Sequence, residues 1–483
     1  MRYADVAETH SAAVFFFGDR AYKVKKPFDL GFLDFTERTT REAICHREVD
    51  LNRRLAPDIY LGVADVTDPE GAICDHLVVM RRLPEDRRLS TMIRRGEDVE
   101  RPLWALAHDL ATFHAGAARG RAADRQAGID ATRARWVANA AVLTEQVGDV
   151  FDDLTVGRVH GLAHRYLDGR APLFDARIAR GRACDGHGDL LADDIFCLDD
   201  GPRVLDCIEF DDDLRLGDAL ADVAFLAMDL DDIGRPDLAS TFLAAYAEHA
   251  ADTWPASLAH HHIAYRAQVR AKVTAIRAGQ GDATAAEHAR RLIGLALAHL
   301  EAGRVRLVLV GGLPGTGKST ICAGIAEQFP TTVLRSDVIR KELVGLPANR
   351  AAPAAVGEGI YDEAMTTRTY ETMLQRTSIA LAHGESVVLD ASWTDPSWRA
   401  AARRLADAAS SDLVELRCVA PATVTDERMR RRAGSEDPSD ATPEVASAMA
   451  DALQAWPEAV TIDNRGDVED AVEAALDEID PTR

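Results

Sequence analysis

At 483 residues the chain is too long for one ordinary hydrophobic core, so two or more domains are expected. A formal net charge of −23 disfavours a broad nucleic-acid or anionic-membrane surface, and no uninterrupted apolar run approaches the ~20 residues needed to span a bilayer. Seven cysteines stand singly with no C-x-x-C pair, which suggests neither a disulfide framework nor a zinc site. The opening MRYADVAETH carries Asp and Glu where a signal peptide would be apolar, so a cytoplasmic, soluble protein is expected.

The first elements read as a β-hairpin: AVFFFGD and RAYKVKK are strand-like, with Gly18 and Asp19 at the turn. The second strand sets Lys23 and Lys25 on one face. Because the chain holds only six lysines against fifty arginines, the cluster Lys23, Lys25 and Lys26 suggests a place that needs a compact ammonium; an exposed edge strand is the alternative. The helical TTREAICHREVDLNRRL then places Glu48 where it can pair with one of those lysines, and HLVVMRRLP (76–84) has the form of a strand and hinge whose backbone would meet adenine. Residues 117–135 read as helix or connector without chemistry.

Further on, GHGDLLADDIF contains a His-Gly-Asp triplet, with Asp194 five positions after Asp189, followed by strand-like RVLDCIEF carrying Asp206 and Glu209. An Asp, a second polar ligand and a later carboxylate after a hairpin form the catalytic-loop and metal-binding arrangement of kinase-like folds. Asp211, Asp212 and Asp213 read as a solvated turn. His260, His261 and His262 point three ways around a helix, which argues against a shared metal.

These motifs, with FLDFTERTTREAICHREVDLNRRLAPDIYLGV and VLDCIEFDDDLRLGDALADVAFLAMDL, resemble the aminoglycoside phosphotransferase family, and within it the group fused to a P-loop kinase. The resemblance implies an α+β, two-lobed, protein-kinase-like domain over residues 1–300. It implies Asp189 as catalytic base, Lys23 or Lys25 on the nucleotide phosphates, Glu48 as the ion-pair partner, and Asp194 and Asp206 on Mg²⁺, with Glu209 the alternative to Asp206. The family pattern H-G-D-L-H-x-x-N is broken by Leu191 and Asp194. A carboxylate at 194 still suits a hard cation but cannot donate the hydrogen bond an amide could. A nucleotide-sensing pseudokinase is the rival reading of this domain.

After EAGR (301–304) strand-like and helix-like segments alternate: VRLVLV, TTVLRSD, SVVLD, LVELRCV and AVTID imply a parallel α/β sheet over 304–483. The first strand runs into GLPGTGKST, which matches the phosphate-binding loop G-x-x-x-x-G-K-[ST]. Gly312, Gly315 and Gly317 let backbone N–H groups face a triphosphate, Lys318 reaches the β/γ-phosphates, Ser319 offers a hydroxyl to Mg²⁺, and Thr316 and Thr320 complete the loop. Ligands in such sheets bind at the carboxyl ends of strands. Asp390 there is placed as a Walker B carboxylate for Mg²⁺, and Asp337, nineteen positions beyond Lys318, as general base; helix capping is the alternative for both. Arg428 and Arg431, at i, i+3 in DERMRRRAGSEDPSD, are candidates to close over the phosphates, against a solvated basic helix face.

This second set of motifs resembles the small P-loop kinases of the predicted AAA type, near the zeta-toxin, chloramphenicol phosphotransferase and polynucleotide kinase group, from Arg304 to the C-terminus. Together the resemblances imply an α/β P-loop NTPase domain behind a kinase-like one, ATP and Mg²⁺ as cofactors, and a small-molecule hydroxyl as acceptor. A polynucleotide 5′-kinase and an ATP-binding regulatory module are the alternatives. No oligomeric state emerges from the sequence.

Overall fold

The computed structural model describes residues 5–8, 12–28, 34–146, 148–279, 282, 284–348, 350, 359–432, 443–451 and 454–481. By packing, the chain divides into two compact units: 1–153, 175–254 and 262–296 form the first, and 154–174, 255–261 and 297–483 the second. Among the described residues no helix is long and apolar enough to cross a membrane.

The first unit begins with a sheet of five antiparallel strands, β1 (Asp5–Glu8), β2 (Ala12–Phe17), β3 (Arg20–Lys25), β4 (Tyr60–Thr67) and β5 (Ile73–Arg81), in the order β1-β2-β3-β5-β4. Gly18 takes the left-handed conformation (φ 60°) that closes the β2–β3 turn. Helix α1 (Arg38–Asn52) packs on the sheet through Cys45 and Val49, against Ala21, Ile59, Val78 and Met80. Strand alternation sends Ala21, Lys23 and Lys25 to that same buried side. Two lysines facing a core require counter-charges there, and the helix supplies one in Glu48.

A mostly helical lobe comes next, led by Leu89–Arg94 and Glu100–Gly116 and centred on the almost wholly buried helix Ala219–Asp232. Two small antiparallel pairs are set in it: β6 (Ala183–Asp185) with β9 (Leu216–Asp218), and β7 (Ile195–Leu198) with β8 (Gly201–Val204). The connections between these strands, 186–194 and 205–215, carry the His-Gly-Asp motif and Asp206. A small sheet lobe followed by a helical lobe is the two-lobed, kinase-like arrangement.

The second unit is built on five parallel strands, β10 (Arg306–Gly311), β11 (Thr332–Arg335), β12 (Val387–Asp390), β13 (Asp412–Val419) and β14 (Val460–Asp463), in the order β11-β12-β10-β13-β14. All six residues of β10 are buried, and its run Leu307–Val310 is apolar, as a central strand covered on both faces must be. Ile321, Cys322 and Ile325 of the helix Lys318–Gln328, and Val472, Leu476 and Ile479 of the helix Val468–Ile479, pack against Val308, Val310, Val388 and Leu416. The parallel register sets Arg335 opposite Asp390, and Asp390 opposite Val310. The ends of three adjacent strands therefore meet at the start of the glycine-rich loop.

Candidate functional site

In the first unit Glu48 is fully buried between the two lysines. Lys23 Nζ lies 2.8 Å from Oε1 and Lys25 Nζ 2.6 Å from Oε2. Each lysine has a second carboxylate, Lys23 with Asp206 at 2.5 Å and Lys25 with Glu209 at 2.5 Å. The two pairs differ in access. The side chains of Lys25 and Glu209 are 1% and 9% exposed, whereas Asp206 is 49% exposed. The Lys23–Asp206 pair opens to solvent, and the Lys25–Glu209 pair is an internal brace that holds Glu48 from behind.

Among the described residues Asp206 is one of few non-glycine residues with positive φ (64°), a conformation that costs about 1–2 kcal/mol and must be held by its surroundings. Its backbone N–H donates to Tyr60 Oη at 3.2 Å, and the next N–H, of Cys207, donates to Asn52 Oδ1 at 2.9 Å. Asn52 ends α1, so the helix that carries Glu48 also fixes the Asp206 turn. Lys23 beside it holds the Asp206 carboxyl down at about 2.

The His-Gly-Asp loop hangs on a buried carboxylate. Asp222 accepts the N–H of His187 at 2.8 Å, that of Gly188 at 2.7 Å and a hydrogen bond with His114 Nε2 at 3.0 Å. Gly188 needs its freedom there, at φ 92°. Burial lowers the His187 imidazole to about 4, so it is neutral, with Nε2 donating to Leu205 O at 3.1 Å. Burial also raises Asp189 to about 6; Asp206 adds to the rise while Arg270 and Arg266 oppose it. Asp194 is pushed well above the usual carboxylate range by burial, then by Asp206 and Asp189. The three aspartates thus repel one another, a set of hard oxygen donors that a divalent cation would neutralise. Among the described residues no three His, Cys, Asp or Glu side chains are close enough to hold a metal by themselves. Asp194 and Asp206 suit Mg²⁺ as a pair, with phosphate or water completing its ligands.

In the second unit the glycines of the loop are required by both conformation and space. Gly312, Gly315 and Gly317 have φ of 138°, 81° and 88°. A Cβ on them would stand 2.4 Å from Cys418 O, 2.8 Å from Thr425 O and 2.1 Å from Asn464 Nδ2 respectively. Thr316 shapes the loop, its Oγ1 donating to Leu313 O at 2.8 Å and its carbonyl accepting from Asn464 Nδ2 at 2.9 Å. Lys318 Nζ donates to Leu313 O at 3.0 Å across the loop mouth, and Thr320 is exposed in the first helical turn.

Ser319 Oγ donates to Asp390 Oδ2 at 2.6 Å, which brings together the two oxygens proposed from sequence for Mg²⁺. Asp390 caps no helix; Asp395 caps the next one. Asp337 is likewise no cap, since it lies inside the first turn of the helix Ser336–Leu343, whose N-cap is Arg335. Burial raises the Asp337 carboxyl and nearby Asp390 adds to the rise, with Arg340, Lys318 and Arg335 opposing. Asp337 is therefore within electrostatic reach of Lys318 and Asp390 at once.

The two arginines expected to close over the phosphates part company. Arg428 Nη1 is buried without a hydrogen bond among the described residues and would lie 3.4 Å from a Cβ on Gly317. Arg431 pairs with Glu427 at 2.5 Å and is 80% exposed. The helix Ala422–Arg432 crosses the loop at Thr425 and Arg428, and Arg431 lies one turn past it. The stretch GSEDPSD (434–440), which ends the same motif, lies outside the described residues.

Sequence reasoning missed Asn464 and Arg335, although both close strands of the parallel sheet and the same rule that picked out Asp390 points to them. It also missed Asp222; an acid within the apolar run ALADVAFLAM was the signal.

A family model described as phosphotransferase enzyme family matches residues 6–260, and one described as AAA domain matches residues 307–456. The uncharacterized protein Rv2004c of Mycobacterium tuberculosis is 44% identical over 470 residues, covering 97% of this chain and 94% of its own. Uncharacterized protein Mb2027c of Mycobacterium bovis matches to the same extent. Among solved structures, a choline kinase from Cryptosporidium parvum aligns with TM-score 0.40 and 10% identity over 62% of this chain and 89% of its own. A sugar kinase from Janibacter sp. aligns with TM-score 0.28 and 21% identity over 37% of this chain and 96% of its own. Kinase families of this kind generally use ATP with Mg²⁺. The chain belongs to the phosphotransferase enzyme family, and behind its phosphotransferase domain it carries an AAA domain of the P-loop kind.

Proposed function

We propose that the protein is an ATP-dependent phosphotransferase acting on a hydroxyl of a small molecule, with one nucleotide site in each unit. The observation that carries this reading is the convergence of Lys318, Ser319, Asp390 and Asp337 at the carboxyl ends of β10, β11 and β12. In that site Lys318 and Arg428 stabilise charge on the transferring phosphoryl group, and Asp337 takes the proton of the acceptor hydroxyl. Burial raises its pKa, which makes it a stronger base than an ordinary, solvated carboxylate. In the first unit Lys23, oriented by Glu48, meets the nucleotide phosphates, and Asp189 is the base. Mg²⁺, where bound, supplies charge neutralisation of the phosphates; Ser319 and Asp390 would hold it in one site, Asp194 and Asp206 in the other.

The test is ADP release by the wild type, Lys318→Ala, Asp189→Ala and the double variant, with Mg²⁺ and pooled sugars, amino alcohols, antibiotics and oligonucleotides. Acceptor-stimulated turnover that one single variant reduces by about 10³-fold or more assigns the reaction to that unit. Tight ATP binding with no acceptor-dependent release by any of them overturns the reading in favour of a regulatory module.

Asp189 also sets a pH profile. A general base works ionised, so raising its pKa to about 6 moves the acid limb of activity up from the ordinary carboxylate range. For turnover by the first unit, kcat/KM is expected to fall about tenfold per pH unit below about pH 6 and to level off above it. A limb near pH 4 would mean that an ordinary, solvated carboxylate is the base.

A further inference from the structure

Arg335 closes β11 directly opposite Asp390, and its guanidinium occupies the place where the site's two hard oxygens meet. Nη2 donates to Ser319 Oγ at 2.9 Å and Nε to Asp390 Oδ2 at 3.2 Å, while Ser319 and Asp390 are themselves joined at 2.6 Å. Asp390 is 6% exposed and has the Asp337 carboxyl near it, so this corner of the sheet carries two acids largely out of water. Lys318 and Arg340 offset the Asp337 carboxyl through space, while Arg335 is the cation bonded directly to Asp390.

We propose that Arg335 is an internal counter-ion for the metal position of the P-loop site, and that it sets how strongly nucleotide binding there depends on Mg²⁺. This rests on the reading of Gly312–Thr320 as a nucleotide site. The same two oxygens cannot serve a guanidinium and a divalent cation together, so metal entry must detach Arg335 from Ser319 and Asp390. The side chain is 27% exposed and is anchored at a strand end two residues before Asp337, so once detached it stays at the carboxyl edge of the sheet. With a metal-free nucleotide, Arg335 remains in the site and offers its charge to the phosphates. With the metal present, it is a competitor.

The two effects have opposite signs, and that makes the inference testable without knowing the acceptor. Binding of a fluorescent ATP analogue is measured on the full chain carrying Lys23→Met, which silences the first unit, in EDTA and across a Mg²⁺ titration. Arg335→Ala is expected to weaken metal-free nucleotide binding about fivefold or more and to lower the half-saturating Mg²⁺ about fivefold or more. Arg335→Lys keeps the charge but loses the forked contact, and is expected to shift both quantities in the same senses by less. It also carries the test if the alanine variant does not fold. If both quantities move in the same sense, or neither moves, the inference is overturned, since a general loss of structure weakens binding in both conditions. Failure of the underlying reading looks different: Lys318→Ala in the same background would then leave nucleotide binding unchanged.

Discussion

Glu48→Gln is expected to destabilise the first unit by ~3–5 kcal/mol, the cost of removing one partner from a buried ion-pair network. Glutamine has the shape of glutamate, so the packing of α1 survives and the loss is electrostatic. Lys23 and Lys25 both surrender their shared counter-charge, and Lys25, at 1% exposure, has no route to water. Hydrogen exchange in β3 and α1 is the suitable measurement, because a chain of two units need not unfold in one step. Nucleotide binding by the first unit should weaken as well, since Lys23 would then lean on Asp206 alone. Adding Lys25→Met to Glu48→Gln should cost much less than the two single effects summed, because the double variant no longer leaves Lys25 charged in the core. Additive costs would show that Lys25 and Glu48 do not share one network.

Gly317→Ala is expected to abolish nucleotide binding at the P-loop, with a stability loss of ~2–4 kcal/mol in the second unit. Two separate effects combine. An alanine at φ 88° is strained wherever it stands, and its Cβ would come within 2.1 Å of Asn464 Nδ2, the group that holds Thr316 O. The loop must then move, and with it the N–H groups at its mouth. Adding Asn464→Ala to Gly317→Ala relieves the contact but not the backbone strain, so it should recover part of the stability and none of the nucleotide affinity. Thermal unfolding and fluorescent-nucleotide titration of both variants separate the two effects. Full recovery in the double variant would mean that the contact alone, and not the left-handed backbone, makes glycine necessary.

The elements that carry chemistry were legible because each has a short local pattern. The hairpin around Gly18, the helix bearing Glu48, the strand–loop–helix about Lys318 and the strand ending at Asp390 all appear where periodicity and turn residues place them. What the linear pattern left open were choices between neighbours of like chemistry: Lys23 or Lys25, Asp206 or Glu209, Arg428 and Arg431 as equals. The members of each pair stand two or three residues apart and carry the same charge, so the linear pattern does not choose between them.

Only tertiary structure could separate them, because burial and partner depend on what another segment brings across. Lys25 becomes internal because Glu209 arrives from about 180 residues away, and Lys23 stays near the opening because Asp206 does. Arg428 faces the loop because the helix crosses there and no further on. The sequence by itself determined residue types, local spacing and the two kinds of phosphate-handling motif, since these depend on backbone conformation within a few residues. Which carboxylate meets which cation, and which of them water can reach, was decided by strand order and register, which are set by packing across the whole unit.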